Sequence, residues 1–178
     1  MTTAVYAGTF DPITNGHLDV AVRAARLFDK VIIGIYDTPA ATRPVSSGGA
    51  SAGRGLLFST AERVEMARQA TKGVSNIEVV PFTGLVVDFA QKVGAKTIVR
   101  GLRMLTDFER EFEMAMMNKK LRPDLEMVCL MAGLQFQFVS ASLLKEVAGL
   151  GGDVDSLVPE PVAKALREKL GGSKPPRK

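Results

Sequence analysis

The sequence predicts an α/β fold: one parallel, five-stranded sheet with helices on both faces. Continuous apolar runs of strand length alternate along the chain with longer stretches of helical periodicity. Such runs suit strands buried on both faces, and the helices between them supply right-handed crossovers. Polar clusters also fall close after the first, fourth and fifth runs, and parallel sheets bind their ligands beyond the C-terminal strand ends.

Ala4-Val5-Tyr6-Ala7 is the first strand, and Gly8 breaks it. Asp11-Pro12 and Asn15-Gly16 are turn dipeptides. Leu18, Val22, Ala25 and Leu27-Phe28 then recur at helical spacing, which puts His17, the single histidine, in the first helical turn. Val31–Tyr36 is the second strand. The connection Asp37–Leu57 contains Ser46–Gly55, whose Gly/Ser-rich composition is that of a flexible loop. Ser59-Thr60-Ala61-Glu62 is a capping box, starting a helix that runs to about Lys72. Ile77–Pro81 is the third strand, and Leu85–Val93 a short helix stopped by Gly94. Thr97–Arg100 is the fourth strand, Asp107–Leu121 a helix and Glu126–Met131 the fifth strand. Ser140–Gly149 and Pro161–Leu170 are closing helices. With no internal repeat, residues 1–170 read as one domain and 171–178 as a disordered basic tail.

At 178 residues and 46% hydrophobic composition the chain can bury a sizeable core. No apolar run approaches the roughly 20 residues that span a bilayer, and no secretory pattern opens the sequence. The expectation is a cytoplasmic protein away from membranes. The single cysteine, Cys129, fits a reducing compartment and reads as a buried strand residue. The net charge of +4 owes three charges to Lys174, Arg177 and Lys178. Without them 20 basic residues face 19 acidic ones, which argues against nucleic acid as a partner.

Three clusters carry candidate chemistry. Thr9, Asn15, Gly16 and His17 lie at the end of the first strand and the start of the first helix. A helix N-terminus offers free N–H groups and the positive end of the peptide dipole, so anions bind there. Gly16 would let a phosphate approach the backbone closely. The second cluster, Arg100-Gly101-Leu102-Arg103, has two readings: bidentate phosphate clamps, or surface arginines paired with Asp107 or Glu109. The third, Val139-Ser140-Ala141-Ser142, reads equally as a serine cap or as a phosphate-binding helix start. Phe108, Phe112, Met114, Met116 and Met117 suggest core packing or a subunit contact. Glu109, Arg110, Glu111 and Glu113 read as mostly solvated. No His/Cys cluster has metal-ligand spacing, and hydrolase and kinase signatures are absent. One histidine, several cations and helix N-termini suit nucleotidyl transfer, where catalysis is chiefly positioning and charge stabilisation. If the nucleophile is itself a phosphate, its second pKa near ~6 leaves it mostly dianionic at neutral pH, and no general base is needed.

Thr14-Asn15-Gly16-His17 after Gly8-Thr9-Phe10-Asp11-Pro12 resembles the T-x-G-H nucleotidyltransferase signature. With VRGLR and DFE, MNKKL, FVSASLLKEVA and GGDV–LVPEPV in order, the chain to about Leu170 resembles the bacterial pantetheine-phosphate adenylyltransferase family. The resemblance implies a Rossmann-like domain of the nucleotidylyltransferase superfamily. It implies transfer of AMP from ATP to 4′-phosphopantetheine, giving dephospho-CoA and pyrophosphate, with Mg2+. It further implies a homohexamer and feedback inhibition by CoA. By the same resemblance His17 stabilises the transition state. Thr9, Phe10, His17, Gly101, Leu102, Arg103, Glu111 and Phe136, Gln137, Phe138, Val139, Ser140, Ala141 and Ser142 contact ATP. Thr9, Val86 and Arg100 contact the acceptor, and no residue is assigned to a metal.

The chain departs from the family's pattern in three places. The family's lysine after the second strand falls near Ala41, and Arg43 is the nearest cation to replace it for substrate binding. Ser46–Gly55 resembles an insertion. The family's serine run is Ser140-Ala141-Ser142, one hydroxyl short. The alternatives are another nucleotidyltransferase of the superfamily with a different acceptor, and a non-enzymatic nucleotide-binding module.

Overall fold

The computed structural model describes residues 1–37 and 55–171. Arg43, nearly all of Ser46–Gly55 and all but the first residue of the basic tail lie outside the described residues.

Five parallel strands form one sheet: β1 (Thr3–Gly8), β2 (Lys30–Tyr36), β3 (Ile77–Phe82), β4 (Thr97–Leu102) and β5 (Glu126–Met131). Their order is β3-β2-β1-β4-β5. The chain therefore winds outward from β1 in one direction, then crosses back over β1 and winds outward in the other. Right-handed crossovers place α1 (Asn15–Leu27) and α2 (Thr60–Thr71) on one face, and α3 (Val86–Lys92) and α4 (Leu105–Leu121) on the other. Helices α5 (Ala141–Gly149) and α6 (Glu160–Leu170) join α1 and α2.

Alternation along β1 divides the core. Ala4 and Tyr6 enter the cluster under α1, α2, α5 and α6, while Val5 and Ala7 enter the cluster under α3. β2 does the same with Ile33 and Ile35 against Ile32. Each valine or isoleucine among them, fully buried, contributes about 1.5–3 kcal/mol. Gly34 sits between them for a steric reason: Phe82 and Phe89 stack at 4.4 Å over it. A Cβ at Gly34 would lie 2.8 Å from Phe89 Cε1 and 3.1 Å from Phe82 Cδ1.

The capping box before α2 forms as the sequence predicts: Ser59 Oγ accepts the Glu62 N–H, and Glu62 accepts the Ser59 N–H. The structure refines three expectations and corrects one. The fully buried residues of α1 are Val20, Ala21 and Ala24, while of the periodic set Leu18, Val22, Ala25 and Leu27-Phe28 only Ala25 and Phe28 pack against that core, partly buried. Small residues let the helix approach the sheet, and Val20 lies against Gly101 of β4. β4 continues past Arg100 through Gly101 to Leu102, which aligns with Met131 of β5, so Gly101 and Leu102 are strand residues too. β5 is an edge strand with one neighbour, and Cys129 is exposed there rather than buried. Phe108, Phe112, Met116 and Met117 are each more than half exposed, so α4 does not turn them into this chain's core.

Replacing Gly34 by Ala should overpack the Phe82–Phe89 stack and destabilise the fold by about 1–3 kcal/mol. A lower urea midpoint at unchanged slope checks this.

Candidate active site

A cleft of about 580 Å³ opens at the C-terminal ends of β1 and β4, where the strand order reverses. Of the residues singled out in the sequence, Thr9, Phe10, His17, Arg100, Gly101, Arg103, Glu111 and Val139, Ser140, Ala141 and Ser142 line it. Leu102, Val86, Phe136, Gln137 and Phe138 do not line it. Leu102 is buried, and its carbonyl accepts the Ala132 N–H at 2.7 Å. Val86 packs against the core beneath α3. Gln137 and Phe138 are exposed after a short 3-10 turn at Leu134–Phe136. Phe136 packs against Gly16, where a Cβ would come within 3.1 Å of its own Cβ. Gly16 thus makes room for Phe136 as well as bordering the cleft.

His17 is held by a capping box of its own. Thr14 caps α1: its hydroxyl accepts the His17 N–H at 3.2 Å, and its own N–H donates to His17 Nδ1 at 3.1 Å. An imidazole nitrogen that accepts a backbone N–H carries no proton, so the proton of the neutral ring resides on Nε2. Burial pushes the imidazole pKa down to about 4, and the charges of Arg103 and Arg100 act in the same direction. At neutral pH the cleft therefore holds an uncharged ring with one defined donor. Phe10 packs edge-on to that ring, centroids 5.1 Å apart.

Both arginines are paired with acids, Arg103 with Asp107 as one reading expected and Arg100 with Glu111 rather than Asp107 or Glu109. Arg100 donates Nε–H and Nη2–H to Glu111 at 2.7 and 2.6 Å, and Nη1–H to the Ala7 carbonyl at 2.7 Å. Burial by itself would lower the Arg100 pKa, but the bonds from Glu111 outweigh it and raise it. Glu111, expected to be mostly solvated, is buried for this purpose. Arg103 pairs with Asp107 and donates to the Val139 carbonyl at 2.8 Å, joining β4 to the start of α5. Each fork keeps further N–H groups, since a guanidinium has five. The cations are positioned before any ligand arrives.

Opposite β4, Ser140 caps α5 by accepting the Leu143 N–H at 3.1 Å. The N-terminal turns of α1 and α5 both border the cleft, and each brings the positive end of its peptide dipole to it.

Three functional side chains escaped sequence reasoning. Asp11, 4% exposed, accepts the Leu57 and Phe58 N–H groups at 3.0 and 2.9 Å and pairs with Lys145 at 2.6 Å. Arg63, 1% exposed, donates to the carbonyls of Thr9, Tyr36 and Phe58 and to the Thr60 hydroxyl. Asp11 stood in a turn dipeptide and a motif, Lys145 in a motif and a helix, and Arg63 in a helix, none with a role of its own. Their partners are 46, 134 and 54 residues away, and no local signal announces them.

Among the described residues no three His, Cys, Asp or Glu side chains converge as a protein-held metal requires. The arrangement suits a polyanion: a neutral donor, paired cations and two helix N-termini face one space.

In the substrate-free protein His17 should titrate with a midpoint near pH 4 rather than 6.5. The unfolded chain then binds this proton at higher pH than the native chain, so stability falls as pH drops from 6.5 towards 4. His17→Gln should flatten that part of the stability profile, measured by urea unfolding across the window.

Residues 5–147 match the cytidylyltransferase-like family. A phosphopantetheine adenylyltransferase of Thermomicrobium roseum is 51% identical over 167 residues, 94% of each chain. One from Roseiflexus sp. is 46% identical over 171 residues, covering 96% of this chain and 99% of that one. A solved structure from Vibrio parahaemolyticus, of a protein proposed to be a nicotinate-nucleotide adenylyltransferase, superposes with a TM-score of 0.64 at 16% identity. That match covers 93% of this chain and 99% of the other, and it speaks for the fold alone. Identity at this level over nearly the whole length assigns the chain to the phosphopantetheine adenylyltransferase family of cytidylyltransferase-like proteins.

Proposed function

We propose that this protein transfers the adenylyl group of ATP to 4′-phosphopantetheine, giving dephospho-CoA and pyrophosphate. The observation that carries the reading is the convergence of His17, Arg100, Arg103 and two helix N-termini on one cleft at the strand-order reversal. The curated relatives named for this activity supply the acceptor.

The acceptor phosphate attacks the α-phosphorus in line. A new P–O bond forms as the bond from the α-phosphorus to the bridging oxygen breaks, and pyrophosphate leaves with that electron pair. The nucleophile is an anion already, so neither a covalent intermediate nor a general base enters. His17 Nε2–H donates to the α-phosphate oxygen, where negative charge builds. Because the ring is neutral and oriented beforehand, little reorganisation accompanies that charge. Spare N–H groups of Arg100 hold the acceptor phosphate, and Arg103 with the start of α5 receives the triphosphate.

Mg2+ bound with the nucleotide would supply neutralisation of the charge on the triphosphate. It would take a few oxygen ligands from the substrate's phosphates and keep several waters. The apolar face of α4, with Phe108, Phe112, Met116 and Met117 exposed, supports assembly into a homo-oligomer, which we read as a hexamer. CoA, which contains the product, would compete for the same cleft as a feedback inhibitor. No helix among the described residues is long and apolar enough to cross a membrane, and the single cysteine supports a cytoplasmic setting.

Pyrophosphate release should require both 4′-phosphopantetheine and Mg2+. Equal release with nicotinamide mononucleotide, or with a cytidylyl acceptor, overturns the assignment. His17→Ala should lower kcat by about 10²–10³ while leaving the ATP dissociation constant near that of the parent. Arg100→Ala should weaken acceptor binding by roughly 10- to 150-fold, the equivalent of ~1.5–3 kcal/mol for a charge-assisted clamp, read by calorimetry.

A further inference from the structure

Phe10 is the only non-glycine residue with a positive φ among the described residues, at +46°. A side chain in this region is strained, and such a conformation persists only where its surroundings over-determine it. The surroundings of Phe10 do so from both sides. Before it, the Thr9 carbonyl accepts Arg63 Nη1–H at 2.7 Å. After it, the buried carboxylate of Asp11 is gripped by the Leu57 and Phe58 N–H groups and by Lys145 Nζ at 2.6 Å. The strained residue has a consequence at the centre of the cleft. Its ring stands edge-on to Tyr6 at 5.2 Å and to His17 at 5.1 Å, so it forms one wall against the imidazole.

Lys145 also lines the cleft, and a lysine beside a polyanion site invites assignment as a phosphate ligand. Its observed partner argues otherwise. Asp11 is 4% exposed, and withdrawing Lys145 towards a phosphate would strip the ion-paired lysine from a buried carboxylate, which is costly. We propose that Lys145 is a positioning residue for His17: paired with Asp11, it holds Phe10 in the left-handed conformation that fixes the imidazole, and it does not ligate the nucleotide. The catalytic part of this inference rests on the proposed adenylyl transfer. The positional part does not.

The test compares the parent protein with Lys145→Met, Asp11→Asn and the double variant. Each single variant should lower kcat at saturating substrates by roughly 10-fold. The double variant should fall no more than about 2-fold below the worse single one, because both substitutions break the same strut. The ATP dissociation constant should stay within about 3-fold of the parent throughout. His17 is the only histidine, so 15N-labelled protein gives one set of ring-nitrogen signals. In the variants these should move away from the Nε2–H pattern without any substrate present.

A phosphate ligand behaves differently: Lys145→Met would weaken ATP by 10-fold or more with or without Asp11→Asn, and that result overturns the proposal. Ring-nitrogen signals unchanged by Lys145→Met overturn it too, whatever happens to kcat. If Lys145→Met does not fold, the double variant, which leaves no unpaired carboxylate, is read alone. A shifted ring spectrum in it supports the strut and an unshifted one rejects it. If the parent releases pyrophosphate with no acceptor tried, the proposed function fails while the ring spectrum still decides the positioning claim.

Discussion

β1 is hydrogen-bonded along both edges, to β2 on one side and β4 on the other, and the site depends on that double pairing. Two parallel neighbours force the chain to leave β1 in one direction and return over it from the other. The loops at the C-terminal ends of β1 and β4 therefore diverge and leave a crevice between them. Into it the first connection brings Thr9 to His17, and the second brings Arg100 and Arg103. The start of α5 closes the third side, tied to β4 by Arg103 and the Val139 carbonyl.

Charge in the cleft is arranged in pairs before a ligand binds. Arg100 is engaged with Glu111, Arg103 with Asp107 and Lys145 with Asp11. Pairing holds long, flexible side chains in one geometry and limits the cost of collecting cations in a partly buried space. It also leaves His17 neutral, because burial and the two arginines oppose an imidazolium. A neutral donor of defined tautomer beside fixed cations is a preorganised field for developing phosphate charge.

Much of this was legible along the chain. Continuous apolar runs mark strands covered on both faces, and they located β1 to β5 to within a residue or two at each end. The capping box of α2 was legible because both partners lie three residues apart. The corresponding box of α1 was not, because His17 rather than Glu or Gln returns the second bond. Cys129 misled, and α4 left core and subunit contact undecided, for a common reason. An apolar run says that a segment avoids water, and not whether its own chain covers it. On an edge strand with one neighbour, and on the outer face of α4, this chain leaves the apolar side chains open.

Local order therefore settled the strand-helix alternation, the parallel sheet and the clusters at the strand ends, since each depends on residues within a turn or a strand of one another. Tertiary structure decided the partners: Arg100 with Glu111 rather than Glu109, Asp11 with a lysine 134 residues away, and Arg63 spanning the ends of β1 and β2. It also decided that α1 turns Val20, Ala21 and Ala24 inward. Periodicity leaves a helix's rotation free within a broad apolar arc. Only the close approach of sheet and helix, and the cost of burying a charge without its partner, selects one rotation and one pairing.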